Sequence, residues 1–135
     1  MNPRAVKTAL HYGDGARFIS FGAHSTYFQA SKEGRLVDGR FVPLSELFPK
    51  FAEEELTRAI RIPVDAPPPP ELREILELIA ARPDVYLNTG HVSNDEAMRL
   101  IDLAAEHSIE KVLVASSVTK ADAAMIFLVL FSARM

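Results

Sequence analysis

The chain has no cysteine. That excludes disulfides, thiolate-held metals and a cysteine nucleophile, and it fits a reducing cytoplasm, the expected location. It also lacks a run of lysine and arginine. The net charge is -3, and neither zinc-finger spacing nor aromatic–basic interleaving is present, so no nucleic-acid partner is expected. Behind Met1-Asn2-Pro3-Arg4 there is no apolar core of a signal peptide. No hydrophobic run is long enough to cross a bilayer. Residues 123–131 (AAMIFLVLF) are strongly apolar, but nine residues fall far short of the ~20 that a span needs. The segment reads as core or as a contact between subunits, so a homo-oligomer is expected and a membrane is not.

What remains is ordinary globular composition. At 135 residues, 48 % hydrophobic and 24 % charged, the sequence has enough apolar material for one domain with a two- or three-layer core.

Along the chain, apolar periodicity and punctuation alternate. Residues 6–12 read as a short helix stopped by Gly13-Asp14-Gly15. Residues 17–22 (RFISFG) read as a buried strand with His24 at its carboxyl end. Residues 34–43 form a hairpin pattern around Asp38-Gly39, a pair suited to a turn whose two central residues both need positive φ. Residues 44–60 read as helix, with Leu47, Phe48, Phe51, Leu56 and Ile60 on one face and Pro49 beginning or kinking a segment. Ile62-Pro63-Val64 suggests a short strand. The run Pro67 to Pro70 is stiff and donor-free; it either sets the approach to a helix or serves as a proline-rich ligand.

The second half is more regular. Leu72, Ile75, Leu76 and Ile79 give an amphipathic helix over residues 71–82. Residues 85–88 (VYLN) are a buried strand that runs out at Thr89-Gly90-His91. Ser93-Asn94-Asp95-Glu96 is a capping-box sequence, and its helix runs to about His107. Residues 111–115 (KVLVA) form another strand ending at Ser116-Ser117, and Thr119 could cap a last helix. Strand and helix alternating at this spacing predict an α/β fold of right-handed, parallel βαβ units with a small hairpin insertion, in a single domain over 1–135.

The chemistry concentrates where strands end. In α/β sheets the carboxyl ends of the strands are where ligands and metals are usually held. His91, just past a glycine at such an end, could bind a divalent ion or act as a general base; it could equally be hydrogen-bonded to local backbone at a helix start. His24 occupies the equivalent place after the first strand. Two histidines do not make a closed metal site, which takes three or four ligands. Asp14, Asp95 and Glu96 are candidate carboxylates, with Glu96 better explained by capping. Ser20, Ser25, Ser93, Ser116 and Ser117 lie near strand ends and could bind phosphate or water, without any phosphate-binding glycine loop. His11 and His107 fall at helix ends and are expected to be exposed and inert.

Residues 70–114 resemble the second half of amidohydrolase-like, metal-dependent TIM-barrel hydrolases of an uncharacterised branch. The resemblance is carried by the helix PELREILELI at 70–79, by Thr89-Gly90-His91, by the Ser93-to-Ala97 helix start and by the strand 111–114. Asn2-Pro3-x-Ala5-Val6 and the strand ending near His24 also look similar to the middle of such barrels. The resemblance implies a partial, half-barrel fold, hydrolysis assisted by a divalent metal such as zinc, and a metal-ligand role for His91, with His24 as a second candidate. The sequence departs from the pattern in two places. The opening His-x-His pair of such barrels is absent, and Ala115-Ser116-Ser117 stands where a Thr-His-Pro-like sequence is typical.

Two functions from different classes follow. One is a metal-dependent hydrolase acting on a small molecule, its remaining ligands supplied by a second subunit; two copies of 135 residues approach the about 250 of a full barrel. The other is a non-catalytic binding or assembly module that self-associates through its apolar C-terminal segment.

Overall fold

The computed structural model describes residues 1–22 and 25–115. His24, Ser116, Ser117, the helix expected after Thr119 and the apolar segment 123–131 lie outside the described residues.

The elements run α1 (Pro3–His11), β1 (Phe18–Ser20), α2 (Tyr27–Lys32), β2 (Gly34–Val37), β3 (Arg40–Pro43), α3 (Leu44–Leu47) and α4 (Pro49–Phe51). The last leads into a π-helical turn over Ala52–Leu56. Then come α5 (Pro70–Ala80), β4 (Tyr86–Asn88), α6 (Asn94–Glu106) and β5 (Val112–Leu113). The expected mixed α/β architecture is present: a parallel three-stranded sheet in the order β1–β4–β5, and a separate antiparallel hairpin, β2–β3. The three parallel strands do not close into a barrel.

Strand alternation divides the sheet into two unlike faces. Ile19, Leu87 and Val112 are aligned across the strands and point toward the helices; Ile19 and Leu87 are buried and Val112 packs against them. Leu10 of α1, four residues of α5 and Leu100 and Leu103 of α6 complete this core. Helix α5 contributes most regularly: Leu72, Ile75, Leu76 and Ile79 are all buried, as their spacing predicts. Each such side chain stabilises the fold by about 1.5–3 kcal/mol, so α5 fixes the helical layer on the sheet.

Among the described residues nothing covers the opposite face. Phe18 and Tyr86 are paired in register and remain 49 % and 39 % exposed, and Leu113, aligned with Asn88, is 43 % exposed. Parallel sheets are normally covered on both sides, and among the described residues this one is covered on one.

Turn chemistry and caps follow the residues. Asp38 and Gly39 both have positive φ, 49° and 78°, as a two-residue hairpin turn requires. The proline run sets the start of α5: Pro69 is extended at the cap position and Pro70 opens the helix, where its missing N–H costs nothing.

Two expectations are corrected, and one element is new. The helix over 44–60 is broken at Phe48, which is extended (φ −133°, ψ 85°) because Pro49 follows it and disfavours the helical conformation before it. Of its proposed apolar face, Phe48 is 52 % exposed. The strand at 62–64 does not form; instead Ile60 alone bridges to Thr26 in parallel. Helix α2 was not expected, since its six residues are too few to show a period; Thr26 caps it.

Candidate functional site

The carboxyl ends of β1 and β4 are held together by backbone. Past the end of β1, Phe21 N–H donates to the Asn88 carbonyl at 3.1 Å, and His91 N–H donates to the Gly22 carbonyl at 3.0 Å. Gly90 lies between these bonds with φ +69°, and a Cβ on it would collide with the Gly22 carbonyl oxygen. Glycine is required at position 90 for both reasons: only it tolerates that φ freely, and only it permits so close an approach.

Beyond Gly90, every backbone group of His91 is engaged. Its carbonyl accepts from the hydroxyl of Thr26 at 2.5 Å. Thr26 is fully buried, and the same oxygen accepts from Gln29 N–H at 3.3 Å, capping α2. One side chain thus joins the start of α2 to the turn after β4. The imidazole of His91 is half-buried and makes no hydrogen bond or ion pair with any described residue. The alternative reading, a ring tied to local backbone at the start of α6, is therefore not what is observed.

Ser93 and Glu96 form the expected capping box. Ser93 Oγ accepts from Glu96 N–H at 3.3 Å, while Glu96 Oε2 accepts from Ser93 N–H at 2.9 Å. The other carboxylate oxygen, Oε1, accepts from Ile62 N–H at 2.8 Å. Both oxygens of Glu96 are used by backbone amides, which makes it a structural carboxylate. The contact to Ile62 spans 34 residues and has no local signal in the sequence.

The remaining candidates are dispersed. Asp14 is exposed in the turn before β1, at the amino-terminal edge of the sheet and away from His91. Asp95 is exposed in the first turn of α6. Ser20 Oγ accepts from Gly22 N–H at 3.3 Å, and Ser25 is exposed with its carbonyl bonded to Ile60 N–H. His11 is exposed, as expected. His107 is half-buried with Nδ1 2.8 Å from the Leu103 carbonyl, so it finishes α6 instead of standing free in solvent. No group of three or more histidine, aspartate or glutamate side chains capable of holding a metal exists among the described residues. Of the two expected metal ligands only His91 is among the described residues, and these do not make up a closed metal site.

A two-contact ion pair lies elsewhere. Arg82 chelates Asp84, with contacts of 3.2 Å to each carboxylate oxygen. These hydrogen bonds hold the Asp84 carboxyl below its usual range and raise Arg82. Arg82 also donates to the Leu10 carbonyl at 2.8 Å, fastening the end of α1 beside the amino-terminal edge of the sheet. That cluster is structural.

Next to His91 a cleft of about 490 Å³ opens between α2, the 61–64 segment and the start of α6. Tyr27, Phe28, Ile62, Pro63 and Val64 provide its apolar lining, and Arg61 lies over the Tyr27 ring, 3.4 Å from its centroid. None of these residues was singled out from the sequence as functional, because the cleft is assembled from three segments far apart in the chain.

Among the described residues no helix is long and apolar enough to cross a membrane. No curated protein and no solved structure matches the chain. Over residues 1–126 it matches a family of unknown function designated DUF6282, and to that family it belongs.

Proposed function

We propose that the chain is part of an amidohydrolase-like barrel of the metal-dependent hydrolase kind, with His91 on the reactive edge. The observation that carries this reading is the state of His91. Its backbone is locked on both sides, by Gly22 and Thr26, while its ring, at the carboxyl end of a parallel sheet, makes no hydrogen bond or ion pair with any described residue. The sequential order β1–β4–β5, and the sheet face that the described residues leave open, support three neighbouring strands of a larger barrel. In such a protein the bound metal supplies a hydroxide nucleophile at neutral pH. The described residues provide His91 alone toward it, so no hydrolytic step follows from them. His24, a second subunit or further chain would have to complete the ligand set.

The test is elemental analysis of the purified protein and of His91→Ala, with mass read by light scattering. About one zinc, manganese or iron per chain, lost in the variant, is expected. Metal-free protein in both forms would sink the hydrolase reading.

A second reading is a non-catalytic module that self-associates, and the exposed Phe18, Tyr86 and Leu113 favour it. A stable, metal-free dimer that dissociates in Phe18→Ser with Tyr86→Ser would support this reading; a monomer would count against it.

A further inference from the structure

We propose that the cleft beside His91 binds a small organic anion: a carboxylate carried on a flat, apolar body. The walls specify the body. Tyr27 and Phe28 face Pro63 and Val64, and Val64 is left 41 % exposed. An apolar group lying between them removes that surface from water without leaving any buried polar atom unpaired.

The charge specifies the head. Arg61 is exposed at the cleft and forms no ion pair with any described residue. Its guanidinium rests on the Tyr27 ring, which orients it and leaves its in-plane N–H donors facing outward. A planar carboxylate is the partner whose two oxygens match that edge. Among the described residues one carboxylate lines the cleft, Glu96; it is tied to the amides of Ile62 and Ser93 and forms no ion pair with Arg61. Lys32 lies over the Phe28 ring at 3.8 Å and adds to the positive potential on this side. A cationic ligand would be repelled by Arg61, and a neutral one would gain no charge-assisted hydrogen bond from it. Arg61 is a cation without an ion-pair partner among the described residues, and the space beside it is apolar.

The cleft adjoins the His91 turn through Ser93, which lines it two residues past His91. The assignment nevertheless does not depend on the hydrolase reading, because binding requires neither a metal nor His91.

The experiment uses benzoate and its uncharged isostere benzamide, titrated into the 135-residue chain and followed by amide chemical shifts. Benzoate is expected to shift the amides of Tyr27, Phe28, Ile62 and Val64, with benzamide binding at least about tenfold more weakly. Arg61→Gln should remove that preference, and Arg61→Lys should keep part of it. As Arg61 is exposed, neither substitution should alter the rest of the spectrum. Equal binding of the two probes, an unchanged preference in Arg61→Gln, shifts that map to another surface, or no response to benzoate up to about 10 mM would each overturn the proposal. His91→Ala should bind benzoate like the wild type, which separates failure of the cleft from failure of the metal reading.

Discussion

Gly90 and Gly22 meet backbone to backbone across the ends of β4 and β1, and no side chain fits between them. Gly90→Ala therefore has two costs, the left-handed φ of +69° and the collision with the Gly22 carbonyl. Together they should destabilise the fold by about 2–4 kcal/mol, read from urea denaturation. A loss below about 0.5 kcal/mol would show that the strand ends can separate freely.

Thr26 should behave as a two-way latch. Thr26→Val keeps its volume but removes the donor to His91 and the acceptor for Gln29, at a cost of about 2 kcal/mol. Thr26→Ser keeps the hydroxyl and should recover most of that. If Val and Ser prove equally stable, the hydroxyl contributes nothing and packing alone holds the residue.

Glu96→Ala should leave the amides of Ile62 and Ser93 without acceptors and cost about 2–3 kcal/mol. Its signature is local: hydrogen exchange at Ile62 should accelerate more than at Leu76 in α5. Uniform acceleration across both would mean that the carboxylate does not hold the 61–64 segment in particular.

Acid should act at Asp84. Its folded-state pKa is lowered, chiefly by hydrogen bonds from Arg82, so the stabilisation is fully present above the unfolded value of about 3.9. It is lost as the pH falls through the lower, folded value. In Asp84→Asn the urea midpoint should accordingly fall less than in the wild type between pH of about 5 and about 2. Parallel curves for the two proteins would exclude the pair as a source of acid sensitivity.

The sequence was most legible where one local pattern decided the outcome. Leu72, Ile75, Leu76 and Ile79 share one face of α5, and each is buried. Ser93 and Glu96 sit three apart and form their box, and Asp38-Gly39 makes its turn. Legibility failed where distant segments set the structure. Ile60 is placed by its bridge to Thr26 and Ile62 by the carboxylate of Glu96, and neither contact leaves a period or motif behind. The position of His91 at a strand end was readable; that its backbone is held by Thr26 and Gly22, 65 and 69 residues away, was not.

The two-oxygen bond of Glu96 has a consequence for how the molecule moves. Helix α6 carries Leu100 and Leu103 in the core, and its first turn holds both the His91 turn and the floor of the cleft. Neither, then, is an independent loop that opens by itself on a fast timescale; both should exchange their amides with the slow, cooperative opening of the core. A ligand held in the cleft would be attached to this core helix and would in turn raise the temperature at which it melts.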